Sequence, residues 1–189
     1  KALVNCLNFG NPEHPEVMWQ FAEVVEGMSE ACEALGIPVV GGNVSFYNES
    51  QGSNIHPTPV VGVVGLIDDL SAPPPPPAFA DGDHVVVLGA TRAELGGSEW
   101  AALHGAVGGR APQSDLAAAA ALMGLLPQLV VGADPMVRGV HDCSDGGLAV
   151  AVTEMAIRGA TGVTIDLNAL PLDGTVDRKS TRLNSSHVA

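Results

Sequence analysis

Between residues 17 and 35, apolar side chains return every three or four positions: Val17, Phe21, Val24, Val25, Met28, Cys32 and Leu35. That spacing predicts a long helix with one apolar stripe, ended by Gly36 and Pro38. Such a stripe must be buried against something, and the flanking segments offer the partner. Residues 2–7 (ALVNCL) read as a buried strand, stopped by the two prolines of NPEHPE. Residues 39–47 (VVGGNVSFY) read as a strand broken by a Gly-Gly turn, and residues 59–67 as a further strand. Together they outline half of an α/β unit, with Cys32 as a packing residue on the helix stripe.

The pattern lapses at residues 71–83 (SAPPPPPAFADGD), a stiff proline-rich connection with no core periodicity. It reads as a spacer between domains rather than as a ligand for a proline-binding module. A second unit opens with the short apolar run HVVVL at residues 84–88, passes through GGSEWAALHG, and continues into an alanine-rich helix over residues 115–131. Ser98 and Glu99, after Gly96-Gly97, read as a helix cap. Residues 139–142 form a strand-like run, Ser144 or Asp145 is placed to N-cap the next helix, and residues 148–157 supply its apolar face. Residues 163–167 read as a closing strand. The expected organisation is therefore residues 1–70 as one domain, a linker over 71–83, and a second domain over 84–177.

From residue 178 onward (RKSTRLNSSHVA) apolar patterning gives way to a basic, serine-rich stretch. Residues 178–189 resemble translated adaptor sequence more than a natural disordered terminus, so the tail is expected to be non-native. The chain also starts without Met, directly on a strand-like run, as an interior fragment of a longer protein would.

Charge narrows the function classes. Eight basic residues against 21 acidic ones give a formal net charge of −13. Such a surface repels phosphate backbones and anionic lipid, which argues against nucleic-acid and membrane-surface roles. A phosphorylated ligand would need metal ions and backbone N–H groups to offset that charge. With 46% hydrophobic residues and a mean hydropathy of +0.25, the chain can build a sizeable core. Its longest apolar run, residues 60–67, is too short to span a bilayer, and the first ten residues carry no signal pattern. Three cysteines with no CxxC pair point to a reducing compartment, hence a cytoplasmic protein.

Two motifs carry the chemistry: NCLNFGNPEHPEV over residues 5–17 and VVGGNVSFYNES over residues 39–50. Gly41-Gly42 allows a backbone to approach a phosphate closely, and Asn43 then offers a neutral oxygen of the hard type that Mg²⁺ takes. Ser45 lies two residues on, along the same strand face, and can hydrogen-bond a substrate phosphate. Taken alone, Gly-Gly-Asn equally describes a plain β-turn. The two motifs, with PTPVVGVVGLID at residues 57–68 and HDCSDGGLAVAVTEMA at 141–156, resemble the synthetase subunit of the phosphoribosylformylglycinamidine synthase family, within the AIR synthase-related superfamily. The resemblance covers residues 1–177. It implies an α/β (α+β) fold in which part of an N-type domain is followed by a C-type domain.

It also implies an activity: an ATP-dependent ligase that makes formylglycinamidine ribonucleotide from formylglycinamide ribonucleotide and ammonia. ATP and Mg²⁺ would be its cofactors, and a glutaminase subunit and a small bridging subunit its partners. Carried over residue by residue, Asn5 and Gly42 would contact ATP, Asn43 would bind Mg²⁺, and Ser45 would contact the ribonucleotide. Where the family's pattern has Asp, this chain has Asn5, which keeps an acceptor oxygen and loses the charge. A strand-end residue bonding the next turn is the alternative reading of Asn5. Asp142, Asp145, Gly146 and Gly147 suggest either an anion-facing or metal-side segment of a nucleotide site or a helix cap. His141 and Cys143 have no Cys-His-Glu setting, so no thiol nucleophile is assigned, and the family's acid-base residues fall outside this chain. Two rivals remain: a sister enzyme sharing the SDGG element, such as aminoimidazole ribonucleotide or selenophosphate synthetase, and a silent scaffold that holds a nucleotide and docks a glutaminase.

Overall fold

The computed structural model describes residues 1–69, 73–92, 94–106, 108–131, 137–166 and the backbone of 187–188. The chain divides into two compact units, residues 1–69 and 70–189.

In the first unit, β1 (Ala2–Asn8) is followed by α1 (Pro15–Leu35), β2 (Val39–Ser45), the short β3 (Glu49–Ser50) and β4 (Ser53–Asn54), and β5 (Thr58–Val64). β1 is the central strand, parallel to β2 on one side and antiparallel to β5 on the other. A helix is the expected connection between adjacent parallel strands, and α1 supplies it. α1 starts with Pro15 in its first turn, where the missing N–H is not needed. It ends on Gly36 at φ 63°, with Gly36 N donating to Glu33 O and Ile37 N to Cys32 O, a Schellman closure that requires a left-handed residue. Along its length Val17 is buried, and Phe21, Val24, Met28, Cys32 and Leu35 are half-buried, as the stripe predicts. Val25 departs from the stripe and is exposed.

The core of this unit joins Leu7, Phe9 and Val17, with Phe21, Val24, Met28 and Phe46 packed around them. Phe9 is fully buried and meets Phe21 edge-on, with ring centroids 5.4 Å apart, and Phe46 at 6.2 Å. Edge-to-face contact of this kind adds to the burial itself.

The sequence reading needs correction at Gly41-Gly42. No turn interrupts β2: the ladder runs from Val39 to Ser45 with one irregularity, where Leu3 pairs with Val39 and Val4 with Gly41. Both glycines sit in extended backbone; a Cβ at residue 42 would strike Asn5, whereas one at residue 41 would make only an ordinary contact with Val4 at 4.0 Å.

In the second unit, β6 (Val87–Leu88) precedes α2 (Glu99–Leu103), α3 (Leu116–Val130), α4 (Gly147–Arg158) and β7 (His187–Val188). Ser98 caps α2 by accepting from Ala101 N at 3.1 Å, and Asp115 caps α3 by accepting from Ala118 N at 2.9 Å. The core here forms around α4, from Cys143, Leu148, Ala151, Val152 and Met155, against Phe79 and Val87. Four expectations change. Residues 139–142 form no strand, only an isolated bridge at His141. The apolar run at 84–88 forms only a two-residue strand, with Val85 and Val86 exposed. Residues 163–166 are not strand, and Val163 and Ile165 are exposed, with no ladder partner among the described residues. Neither Ser144 nor Asp145 caps α4: its N-cap is Gly146 at φ 80°, with no side-chain cap bond. Residue 167 and the 178–189 tail lie outside the described residues, apart from the His187–Val188 backbone, which pairs with Val87–Leu88.

Phe9→Ala removes the one large side chain that is fully enclosed in the first unit, and the loss is expected to be about 3–5 kcal/mol of unfolding free energy. Denaturant unfolding of a full-length protein carrying this segment checks it, with a loss under about 1 kcal/mol counting against the Phe9-centred core.

Candidate functional site

The β1–β2 register decides which expected site residues meet. Asn5 pairs with Gly42, Cys6 with Asn43, and Asn8 with Ser45. Side chains alternate across a sheet, so Asn5 and Gly42 belong to the face of Leu3 and Leu7, while Asn43 and Ser45 belong to the face of Cys6 and Asn8. The structure therefore separates the four residues into two pairs on opposite faces of adjacent strands.

On the first face, Asn5 lies directly over Gly42. A Cβ added at residue 42 would sit 2.3 Å from Asn5 Oδ1 and 2.9 Å from Asn5 O. Gly42 is thus the space that accommodates the Asn5 amide. Asn5 is mid-strand, and its side chain makes no hydrogen bond to the described residues, so the strand-end reading fails for it. The turns are bonded by other asparagines. Asn11 Oδ1 accepts from Glu13 N at 2.9 Å, and Asn54 Oδ1 accepts from Asn11 N at 2.9 Å.

On the second face, neutral polar groups gather toward the carboxyl ends of β1 and β2, where open α/β sheets place ligands. Asn43 is exposed and Ser45 half-buried. Asn8 Nδ2 donates weakly to Cys6 O at 3.3 Å and to Thr58 O at 3.4 Å. Asn48 Nδ2 donates to Phe9 O and Ser45 O, both at 3.0 Å, and reaches Ser45 Oγ at 3.1 Å. Asn8 and Asn48 are the residues that sequence reasoning missed. Their signal was present in NCLN and SFYN, where an asparagine next to a strand end favours bonds to local backbone.

In the second unit, Asp142 and Asp145 are exposed and Gly147 is buried. Gly146 and Gly147 both take positive φ, 80° and 66°, and a Cβ at residue 146 would fall 2.2 Å from Val150 Cγ2. The glycines are therefore fixed by the entry to α4, whatever else they do. His141 binds this segment down: Nε2 lies 2.9 Å from Glu154 Oε2, and Nδ1 lies 2.7 Å from Asp142 O. Cys143 is buried in the α4 core. A cavity of about 630 Å³ in this unit is lined by Phe79, Val85, Val87, Leu148, Val152 and Thr164, and by none of the four residues expected there. Among the described residues no three His, Cys, Asp or Glu side chains cluster as a metal site, and no helix is long and apolar enough to cross a membrane.

The description "AIR synthase related protein, N-terminal domain" matches residues 1–67, and "AIR synthase related protein, C-terminal domain" matches residues 80–183. The chain belongs to the AIR synthase related family. Within that family it is 54% identical over 168 residues to a phosphoribosylformylglycinamidine synthase subunit PurL of Thermobifida fusca, covering 88% of this chain and 22% of that protein. A subunit of the same name from Leifsonia xyli subsp. xyli is 47% identical over 98% of this chain and 24% of its own length. One from Methanothermobacter marburgensis is 45% identical over 89% of this chain and 24% of its own length. This AIR synthase related chain thus spans about a fifth to a quarter of the length of the curated relatives it matches. A crystal structure of phosphoribosylformylglycinamidine synthase II from Thermotoga maritima aligns with 32% of this chain and 10% of that one, at 42% identity and a TM-score of 0.29. The resemblance carried by the two motifs and the α/β fold class are both borne out.

Gly42→Ala is expected to destabilise by about 1–3 kcal/mol, because the new methyl group meets a backbone oxygen as well as a movable amide. Combining it with Asn5→Ala should recover only the side-chain share, so the two changes will not add. Denaturant melts of the single and double variants measure this, and strict additivity would mean that Asn5 does not occupy the Gly42 space.

Proposed function

We propose that this chain forms part of the nucleotide, metal and substrate walls of an ATP-dependent carbon-nitrogen ligase. The reaction joins formylglycinamide ribonucleotide and ammonia to give formylglycinamidine ribonucleotide, ADP and phosphate. The observation that carries this reading is the 54% identity, over nearly nine-tenths of the chain, to a subunit named for that synthase. The same similarity favours it over the sister enzymes, since the matched relatives bear the synthase's name.

The residues present fit Mg²⁺ and ATP in donor chemistry. Asn43 offers an exposed hard oxygen, without the carboxylate cluster that would enclose a cation on its own. Mg²⁺ suits such a partial site because it keeps waters and phosphate oxygens in its shell. When bound, Mg²⁺–ATP supplies the phosphoryl group that turns the substrate's amide oxygen into a leaving group. Asn43 contributes an oxygen to the metal, and Ser45 hydrogen-bonds the ribonucleotide. Asn5 and Gly42 lie on the opposite sheet face from Asn43, so their proposed contact with the nucleotide is separate from the metal contact at Asn43, and Asn5 brings a polar amide in place of a carboxylate. The work of the chain is alignment and charge neutralisation, and no catalytic base is assigned within it. Asp142, Asp145, Gly146 and Gly147 would flank a second, nucleotide-holding segment, with the glycines shaping the start of α4. The cellular setting would be the cytoplasm, and the nitrogen would come from a glutaminase subunit linked through a small bridging subunit.

Two variants separate the roles, made in a full-length synthase subunit carrying this segment and supplied with free ammonia. Asn43→Ala should raise the Mg²⁺ concentration needed for half-maximal activity. Ser45→Ala removes one hydrogen bond to a charged group, about 1.5–3 kcal/mol, and should raise the ribonucleotide KM roughly ten- to a hundredfold with little change in Mg²⁺ requirement. Wild-type Mg²⁺ and substrate dependence in both variants would reduce GGNVS to a structural strand.

A further inference from the structure

An anion bound at the second face of the first unit meets few positive charges. Residues 1–69 contain one lysine, Lys1, and no arginine. The donors that this unit contributes are neutral ones, so how each is aimed matters more than in a site lined by Arg or Lys.

The Ser45 hydroxyl is aimed by Asn48. Asn48 Nδ2 lies 3.1 Å from Ser45 Oγ, and the same pair can bond in the other sense, Ser45 Oγ to Asn48 Oδ1, at 3.3 Å. A hydroxyl has one proton and two lone pairs. If Ser45 accepts from Nδ2, its proton is left to point at a ligand; if it donates to Oδ1, the proton is spent inside the loop. Both contacts occur in one amide orientation, and the shorter is the one in which Ser45 Oγ accepts. Nδ2 also faces Phe9 O and Ser45 O at 3.0 Å, which holds the nitrogen on the donating side; with two N–H groups for three acceptors, one goes to Phe9 O and the other is shared between Ser45 O and Ser45 Oγ. The backbone maintains this arrangement at a cost. Tyr47 takes φ 58°, in the left-handed region that bulky residues avoid, and so allows Tyr47 N to reach Gly10 O at 2.9 Å and Asn48 N to reach Phe9 O at 3.2 Å.

We propose that Asn48 is a positioning residue for substrate binding. By donating to Ser45 Oγ it leaves the hydroxyl proton directed at an acceptor oxygen of a phosphate monoester, and the chained bond strengthens that donation. The inference rests on the substrate role proposed for Ser45.

The test is a double-mutant cycle in a full-length synthase subunit carrying this segment, with free ammonia as nitrogen donor and formylglycinamide ribonucleotide as the titrated ligand. Asn48→Ala should raise the ribonucleotide KM by about three- to tenfold, the range of one neutral hydrogen bond, with kcat and Mg²⁺ midpoint unchanged. In a Ser45→Ala background the same change should leave KM where Ser45→Ala alone put it. A purely structural asparagine would raise KM equally in both backgrounds, overturning the inference and leaving the role of Ser45 intact. If Ser45→Ala does not alter KM, the substrate role and the inference fall together, while ammonia-dependent product formation by the unaltered subunit still reports on the ligase reading. Should Asn48→Ala not fold, Asn48→Asp serves, since a carboxylate can only accept and draws the Ser45 proton to itself. It should raise KM at least as much, and a KM equal to that of the unaltered subunit would overturn the proposal.

Discussion

The ladder between β1 and β2 sets what the first unit can present. A slip of one residue would move every side chain of β1 to the other face, burying Val4 and Cys6 and expelling Leu3 and Leu7. Hydrophobic burial opposes that slip, and so does shape. The Asn5 amide needs a partner residue without a Cβ, and Gly42 provides it. On the β5 side Gly62 stands opposite Val4, where a Cβ would come within 3.3 Å of Val4 Cγ2. Small residues on both flanks thus let a central strand carry branched and polar side chains while keeping its pairing.

The register places neutral polar groups where an acidic chain needs them. With a net charge of −13, this segment supplies no long-range attraction for phosphates. On the function proposed above, this segment would contribute short-range hydrogen bonds and a ligand to any cation brought with the phosphate. Asn8, Asn43, Ser45 and Asn48 are suited to that, since each offers directed dipoles without adding negative charge. The tight turn through Tyr47 ties this group to Phe9, whose side chain anchors the aromatic core beneath. The packing of the unit and the placing of its polar edge therefore share one segment, NFG.

Much of this was legible in the sequence. The α1 stripe, its glycine stop and the strand propensity of residues 2–7 each follow from local periodicity, and the structure reproduces them. Gly41-Gly42 was misread as a turn because glycine pairs signal turns in isolation, whereas here the reason is a neighbour on another strand, which no local pattern encodes. The division of Asn5 and Gly42 from Asn43 and Ser45 was hidden for the same reason: alternation is visible within a strand, and the partner strand's register is not. Asn48 lies three residues beyond Ser45, but its role depends on the return of the chain beside Phe9. In the second unit, the α4 cap was assigned to Ser144 or Asp145 on residue type. The left-handed Gly146 instead fills that position, where Val150 leaves no room for a Cβ.

The account's central claim is that one strand, β2, presents a metal ligand and a substrate donor side by side on the same face. A crystal structure of a full-length subunit carrying this segment, with Mg²⁺, a non-hydrolysable ATP analogue and formylglycinamide ribonucleotide, tests it directly. The account predicts Asn43 Oδ1 at about 2.0–2.1 Å from the metal, within its octahedral shell. It also predicts Ser45 Oγ at hydrogen-bond distance from a substrate phosphate oxygen, still accepting from Asn48. A complex in which metal and ribonucleotide bind elsewhere, with Asn43 and Ser45 contacting neither, would contradict it.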